Sequence, residues 1–84
     1  MDQKDPIYQS ILLIDDSFVL RDRLAEAFAE RGFLVEVAGT CDEGVAVFRS
    51  GPTDLAVVDL RMPGRTGLTV IADLKAIKAL PEQQ

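Results

Sequence analysis

Ile11-Leu12-Leu13-Ile14-Asp15-Asp16-Ser17 is the stretch that decides the fold. Four branched apolar residues in succession leave no polar face, so they suit a strand buried on both sides. Two acids end the run, and Ser17 follows as a candidate helix N-cap. Leu20, Leu24 and Phe28 then recur four apart, with Val19 and Ala27 broadening the same stripe. Arg21, Asp22, Arg23, Glu26, Glu30 and Arg31 fall largely outside it. This spacing predicts an amphipathic helix of about four turns, with Gly32 as its C′ stop.

Leu34 to Ala38 alternates apolar and charged, with Val35 and Val37 on one side and Glu36 on the other. That is the pattern of a half-exposed strand near a sheet edge. Thr40 and Glu43 stand three apart, as in a capping box. Val45 and Phe48 give the short helix after them its apolar stripe, and Ser50-Gly51-Pro52 ends it. Leu55-Ala56-Val57-Val58 is a second run of buried-strand type, closed by Asp59. A loop, Arg61-Met62-Pro63-Gly64-Arg65-Thr66-Gly67, leads into a last helix with Leu68, Ile71, Leu74 and Ile77 expected on its core face and Pro81 as its stop. The order is β-α-β-α-β-α with short connections, which predicts an α/β fold: a parallel sheet with helices on both faces. Residues 1–9 read as a loose lead-in and residues 10–84 as the domain.

Eighty-four residues support one domain of modest stability. Apolar residues at 48% and charged residues at 27% exclude a disordered composition. No apolar run approaches the ~20 residues of a membrane span, and residues 1–6 lack the basic and apolar regions of a secretory leader. The single cysteine, Cys41, rules out an internal disulfide, so a cytoplasmic setting is expected. The absence of histidine removes imidazole acid–base chemistry and the Ser-His and Cys-His nucleophile pairs. A net charge of −5 argues against direct nucleic-acid binding by this segment. Site chemistry must therefore rest on carboxylates.

Position makes the acids informative. Both buried-type strands end in aspartate: Ile14 runs into Asp15-Asp16, and Val58 into Asp59. Open parallel sheets bind ligands beyond the carboxyl ends of their strands, where the strand order reverses. If the first and third strands are neighbours and the second lies outside the first, the three acids converge there. Such carboxylates repel one another, and a hard divalent cation relieves the repulsion; Mg2+ with retained waters fits few protein ligands. One aspartate after a strand is ordinarily a cap or turn residue. Two such strands, with Met-Pro-Gly just beyond the second, are far more specific.

ILLIDDS at 11–17 and VVDLRMPGRTGL at 57–68, with Gly32-Phe33 between, resemble the receiver domain of two-component response regulators. The resemblance runs from Ile11 to about Leu80. It implies a flavodoxin-like (CheY-like) doubly wound sheet of strand order 2-1-3, with three of the family's five βα units. It implies that Asp59 is the phosphoacceptor, taking a phosphoryl group from a sensor histidine kinase. Asp15, Asp16, Asp59 and the backbone carbonyl of Arg61 would then hold Mg2+, with Pro63-Gly64 shaping the loop that presents the carbonyl. The protein would be a signalling domain rather than an enzyme. Two further family residues, a Ser/Thr and a Lys, belong to the fourth and fifth strands and have no counterpart in this sequence, nor does a DNA-binding output domain.

Other readings compete with this one. With only three strands, Leu55 to Asp59 forms an apolar edge, which predicts a homodimer through that strand or by element exchange. A receiver shape without the switch residues could then act as an interaction module alone. A Mg2+-dependent phosphohydrolase with an Asp nucleophile would carry a second acid two residues on, where this chain has Arg61. Cys41 reads as a small packed residue rather than a reactive thiol. Phe18 reads as packing ahead of a kinase contact, and Arg61 and Arg65 as solvated charges.

Overall fold

The computed structural model describes residues 9–62, 64 and 66–78. The six expected elements form in the expected order: β1 (Ser10–Ile14), α1 (Phe18–Glu30), β2 (Leu34–Ala38), α2 (Cys41–Ser50), β3 (Leu55–Val58) and α3 (Gly67–Lys78). The strands make one parallel sheet of order β2-β1-β3. Ile14 lies level with Ala38 on one side and Val58 on the other. Parallel register of this kind brings all three strands to their carboxyl ends together, which gathers the loops after β1 and β3 at one rim of the sheet.

The central strand explains why the apolar run of β1 has no polar face. Leu12 and Ile14 enter a core with Ala38, Cys41, Val45, Phe48, Met62, Val70, Leu74 and Ile77, beneath α2 and α3. Ile11 and Leu13 are equally buried and, by strand alternation, face the α1 side. Ser10 and Asp54 tie the amino ends of β1 and β3 together. Ser10 N–H and Oγ donate to Asp54 Oδ2 at 2.9 and 3.1 Å, and Asp54 N–H donates to Ser10 Oγ at 2.9 Å.

Caps fall where their residue types place them. Ser17 Oγ accepts from Leu20 N–H, and Gly32 takes φ +93° beyond the end of α1. Thr40 Oγ1 accepts from Glu43 N–H at 3.0 Å. Glu43 reaches back one residue further than a capping box requires, accepting from Gly39 N–H at 2.9 Å.

Several burial expectations are corrected. β3 forms as a strand, yet Leu55, Ala56 and Val57 are exposed, because β3 is an edge and nothing among the described residues covers its far side. The intended core stripe of α1 is only partly covered; Leu20 is exposed, and Leu24 and Phe28 are half-buried. Among the described residues α1 packs mainly over β1 and β2, which leaves its outer flank to solvent. Leu68, expected in the core, is 70% exposed, while Val70 is fully buried. Gly67 sets this rotation. A Cβ there would lie 2.8 Å from the Leu60 Cα and 3.0 Å from the Asp59 carbonyl oxygen, so Gly67 is the point of closest approach. Val70, Leu74 and Ile77 share its side, and Leu68, about 100° further round, points out. The expected stop at Pro81 and the lead-in before Gln9 lie outside the described residues.

Candidate functional site

The loops after β1 and β3 are built by short turns that acids favour. Asp15 N–H still belongs to the sheet, donating to the Ala38 carbonyl at 3.1 Å. Asp15 Oδ1 then accepts from Ser17 N–H at 2.8 Å, an Asx turn that leads into the Ser17 cap. Asp59 repeats the pattern on β3. Its N–H donates to the Ile14 carbonyl at 2.9 Å, and its Oδ1 accepts from Arg61 N–H at 3.0 Å. Each acid is therefore fixed twice, once by the sheet and once by its own turn.

The result is a cluster. Asp15, Asp16 and Asp59 each offer a carboxylate oxygen, and these oxygens all lie within 4.8 Å of one another. Asp16 is exposed, and Asp15 and Asp59 are half-buried, so the cluster opens on solvent. Its donors fit a hard cation. Ligands on opposite sides of Mg2+ stand about 4.2 Å apart, twice the ordinary metal–oxygen distance. The observed spread needs only a small contraction, or water in place of one carboxylate. A carboxylate has about four lone-pair positions, so a turn hydrogen bond on one oxygen is compatible with a metal contact.

Of the sequence-predicted residues, the structure unites the three aspartates. It puts Arg61 beside them, with its N–H on Asp59. Pro63 and Arg65 lie outside the described residues; Gly64 takes φ +89°, as a tight turn demands. Met62 is buried in the main core and anchors the loop from below. Cys41 is buried, which leaves it packing rather than chemistry. Phe18 departs from the packing expectation and stands 62% exposed, directly after the β1 acids and Ser17. Leu60, next to Asp59, and Leu68 are also exposed. Sequence reasoning missed Arg21, whose guanidinium reaches this rim from α1 and donates from Nη1 to the Asp15 carbonyl at 3.2 Å. Among the described residues, no helix is long and apolar enough to cross a membrane.

Comparison with known proteins agrees with this geometry. The family model for the response regulator receiver domain matches residues 11–82. The photosynthetic apparatus regulatory protein RegA of Cereibacter sphaeroides is 42% identical over 67 residues, which is 80% of this chain and 36% of RegA. Among solved structures, the chemotaxis protein CheY4 of Vibrio cholerae shares the fold with a TM-score of 0.81 at 24% identity, over 86% of this chain and 60% of that one. The response regulator TrrA of Thermotoga maritima, solved with Mg2+-BeF, gives 0.78 at 34% identity, over 83% and 61%. TrrA has also been solved with the histidine kinase ThkA. The chain thus spans about a third of the curated relative and about three-fifths of the solved receivers. A three-stranded sheet of order 2-1-3, an acidic rim at the carboxyl ends of β1 and β3, and a family match along most of the sequence lead to one conclusion: this chain belongs to the receiver domain family of two-component response regulators.

Proposed function

We propose that this receiver accepts a phosphoryl group on Asp59 from the phosphohistidine of a sensor histidine kinase, with Mg2+ bound by Asp15, Asp16, Asp59 and the backbone carbonyl of Arg61. The observation that carries the reading is the convergence of the three carboxylates at one rim. A carboxylate oxygen of Asp59 attacks phosphorus, the P–N bond breaks, and its electron pair leaves with the imidazole of the kinase. Phosphoryl transfer of this kind depends on in-line positioning and charge neutralisation. When bound, Mg2+ supplies that neutralisation at the phosphoryl oxygens. The chain's own residues do the positioning: the Arg61 N–H bond orients the Asp59 carboxylate, and the Ser17 N–H bond orients that of Asp15. The product stays on the chain, so the domain is a single-turnover signalling element rather than an enzyme. Exposed Phe18, Leu60 and Leu68 around the acids are the kind of apolar surface a kinase would cover.

Residues 10–84 are assigned to the receiver portion and 1–9 to a lead-in. A cytoplasmic setting is supported by the lone thiol, which has no disulfide partner within the chain. The test is phosphorylation by acetyl phosphate, read by intact mass. Wild type gains a phosphoryl group only with Mg2+; Asp59→Asn gains none, and Glu36→Gln, an exposed acid on β2, behaves as wild type. A wild type that gains none in Mg2+ overturns the reading.

The open edge of β3 favours a second reading, a homodimeric interaction module. Asp59 N–H points at β1, so by alternation the amides of Ala56 and Val58 point away from it. Two such edges, antiparallel about a two-fold axis at Val57, pair Ala56 with Val58 of the second copy in both directions. The edge has no proline and no charge to prevent this. This reading expects a mass of twice 9.2 kDa in solution, unchanged by phosphoryl donors. A monomer with a cooperative melt contradicts it.

A further inference from the structure

The guanidinium of Arg21 lies against the rim by an unusual set of contacts. Nη1 donates to the main-chain carbonyl of Asp15 at 3.2 Å. Nε is shut off from water and, among the described residues, has no hydrogen-bond partner. The guanidinium carbon lies 6.0 Å from the centroid of the Phe18 ring. Gly39, in the β2–α2 loop, makes room for the group: a Cβ there would fall 2.7 Å from Nη1. That loop is itself fixed by the Glu43 bond to Gly39 N–H. A buried donor without a partner is unfavourable, so the placement is maintained by the other contacts of the same guanidinium, the Asp15 carbonyl bond and the Phe18 ring.

The Asp15 carbonyl belongs to the peptide plane that joins Asp15 to Asp16. Asp15 N–H is tied to Ala38, and Asp15 Oδ1 to Ser17 N–H. The Asx turn closes a ring through this peptide, and the Arg21 bond adds a hold on its carbonyl oxygen; the plane so held sets the direction in which Asp16 leaves the strand. We propose that Arg21 is a positioning residue for the metal site: by holding the Asp15 carbonyl, it orients the Asp15–Asp16 peptide and so aims the Asp16 carboxylate into the cluster. Gly39 is its counterpart, the absent side chain that lets the guanidinium reach that carbonyl. The inference rests on the Mg2+ reading given above.

Charge makes the test decisive in sign. As a nearby cation, Arg21 opposes a second cation, so its removal would tighten Mg2+ binding if through-space repulsion were its main effect. As a positioning group, its removal weakens binding, by the 10–100-fold typical of residues that orient metal ligands, on the order of magnitude. The experiment is calorimetric titration of the chain with MgCl2, alongside thermal melts without metal to verify folding. Arg21→Ala and Gly39→Ala are both expected to weaken Mg2+ binding about 10–100-fold. Gly39→Ala does so with the charge retained, by displacing the guanidinium. Arg21→Lys, which keeps charge and one donor, is expected to fall between these and wild type. Unchanged or tighter binding in folded Arg21→Ala, or wild-type affinity in Gly39→Ala, overturns the proposal. Failure of wild type to bind Mg2+ overturns the metal site itself. The amide resonance of Asp16 in metal-free protein reads the positioning claim separately: it shifts in both Ala variants if Arg21 holds the plane, and stays in place if it does not.

Discussion

Gly67 is the residue on which the site and the core meet. Its missing side chain lets α3 start against the Asp59–Leu60 backbone. Backbone cannot step aside as a flexible side chain can, so Gly67→Ala must move α3 or the loop. The expected cost is about 1–3 kcal/mol, as for other overpacked positions, measured by urea unfolding. The same variant should slow acetyl-phosphate labelling, since the displaced atoms adjoin Asp59. Gly67 and its neighbours also show how far single residues can be read from sequence. Asp15, Asp16 and Asp59 were legible because each ends an apolar run, and strand ends have a known address in parallel sheets. Arg21 was not legible: on its own helix it is one polar residue among many, and it acquires a role only when tertiary folding brings Gly39 beside it. Leu68 misled because apolar spacing defines a stripe but not its rotation, which the Gly67 contact fixes.

Elements follow local chemistry closely where a cap or an apolar run defines them. Removing the α2 cap with Thr40→Ala should cost about 1 kcal/mol by denaturant unfolding, the ordinary value for a lost Thr cap. It should leave phosphorylation of Asp59 intact, because the Thr40 hydroxyl is engaged by Glu43 N–H at the start of α2 rather than by the rim acids among the described residues. β3 is the element where type was legible and burial was not. Leu55-Ala56-Val57-Val58 reads as a strand at any position in a sheet, but its exposure depends on what lies beyond it. The dimer reading makes that edge testable. Val57→Lys places a charge at the centre of the paired edges and should convert a dimer into a monomer without lowering the melting midpoint of the monomer. A Val57→Lys protein that still sediments as a dimer would direct attention away from this strand.

Across the whole molecule, the rim proposed to take the phosphoryl group also bears on stability. Three carboxylates held together by the fold oppose it electrostatically until a cation joins them. Ligand bound to the native state alone stabilises it by mass action, by about 2.7 kcal/mol at a hundredfold excess over Kd. Mg2+ should therefore raise the melting midpoint of wild type, and raise it little in Asp16→Asn. Ca2+ is larger and takes more oxygen ligands, which gives a second comparison on the same melt. Metal-assisted phosphoryl transfer to Asp59 can be read from the site of modification itself. The chain is treated with acetyl phosphate in Mg2+ or in EDTA, reduced with borohydride to convert any acyl phosphate to homoserine, and mapped by peptide mass spectrometry. Homoserine is expected at position 59 in Mg2+ and none in EDTA; homoserine at another aspartate, or none at all in Mg2+, would overturn metal-assisted transfer to Asp59.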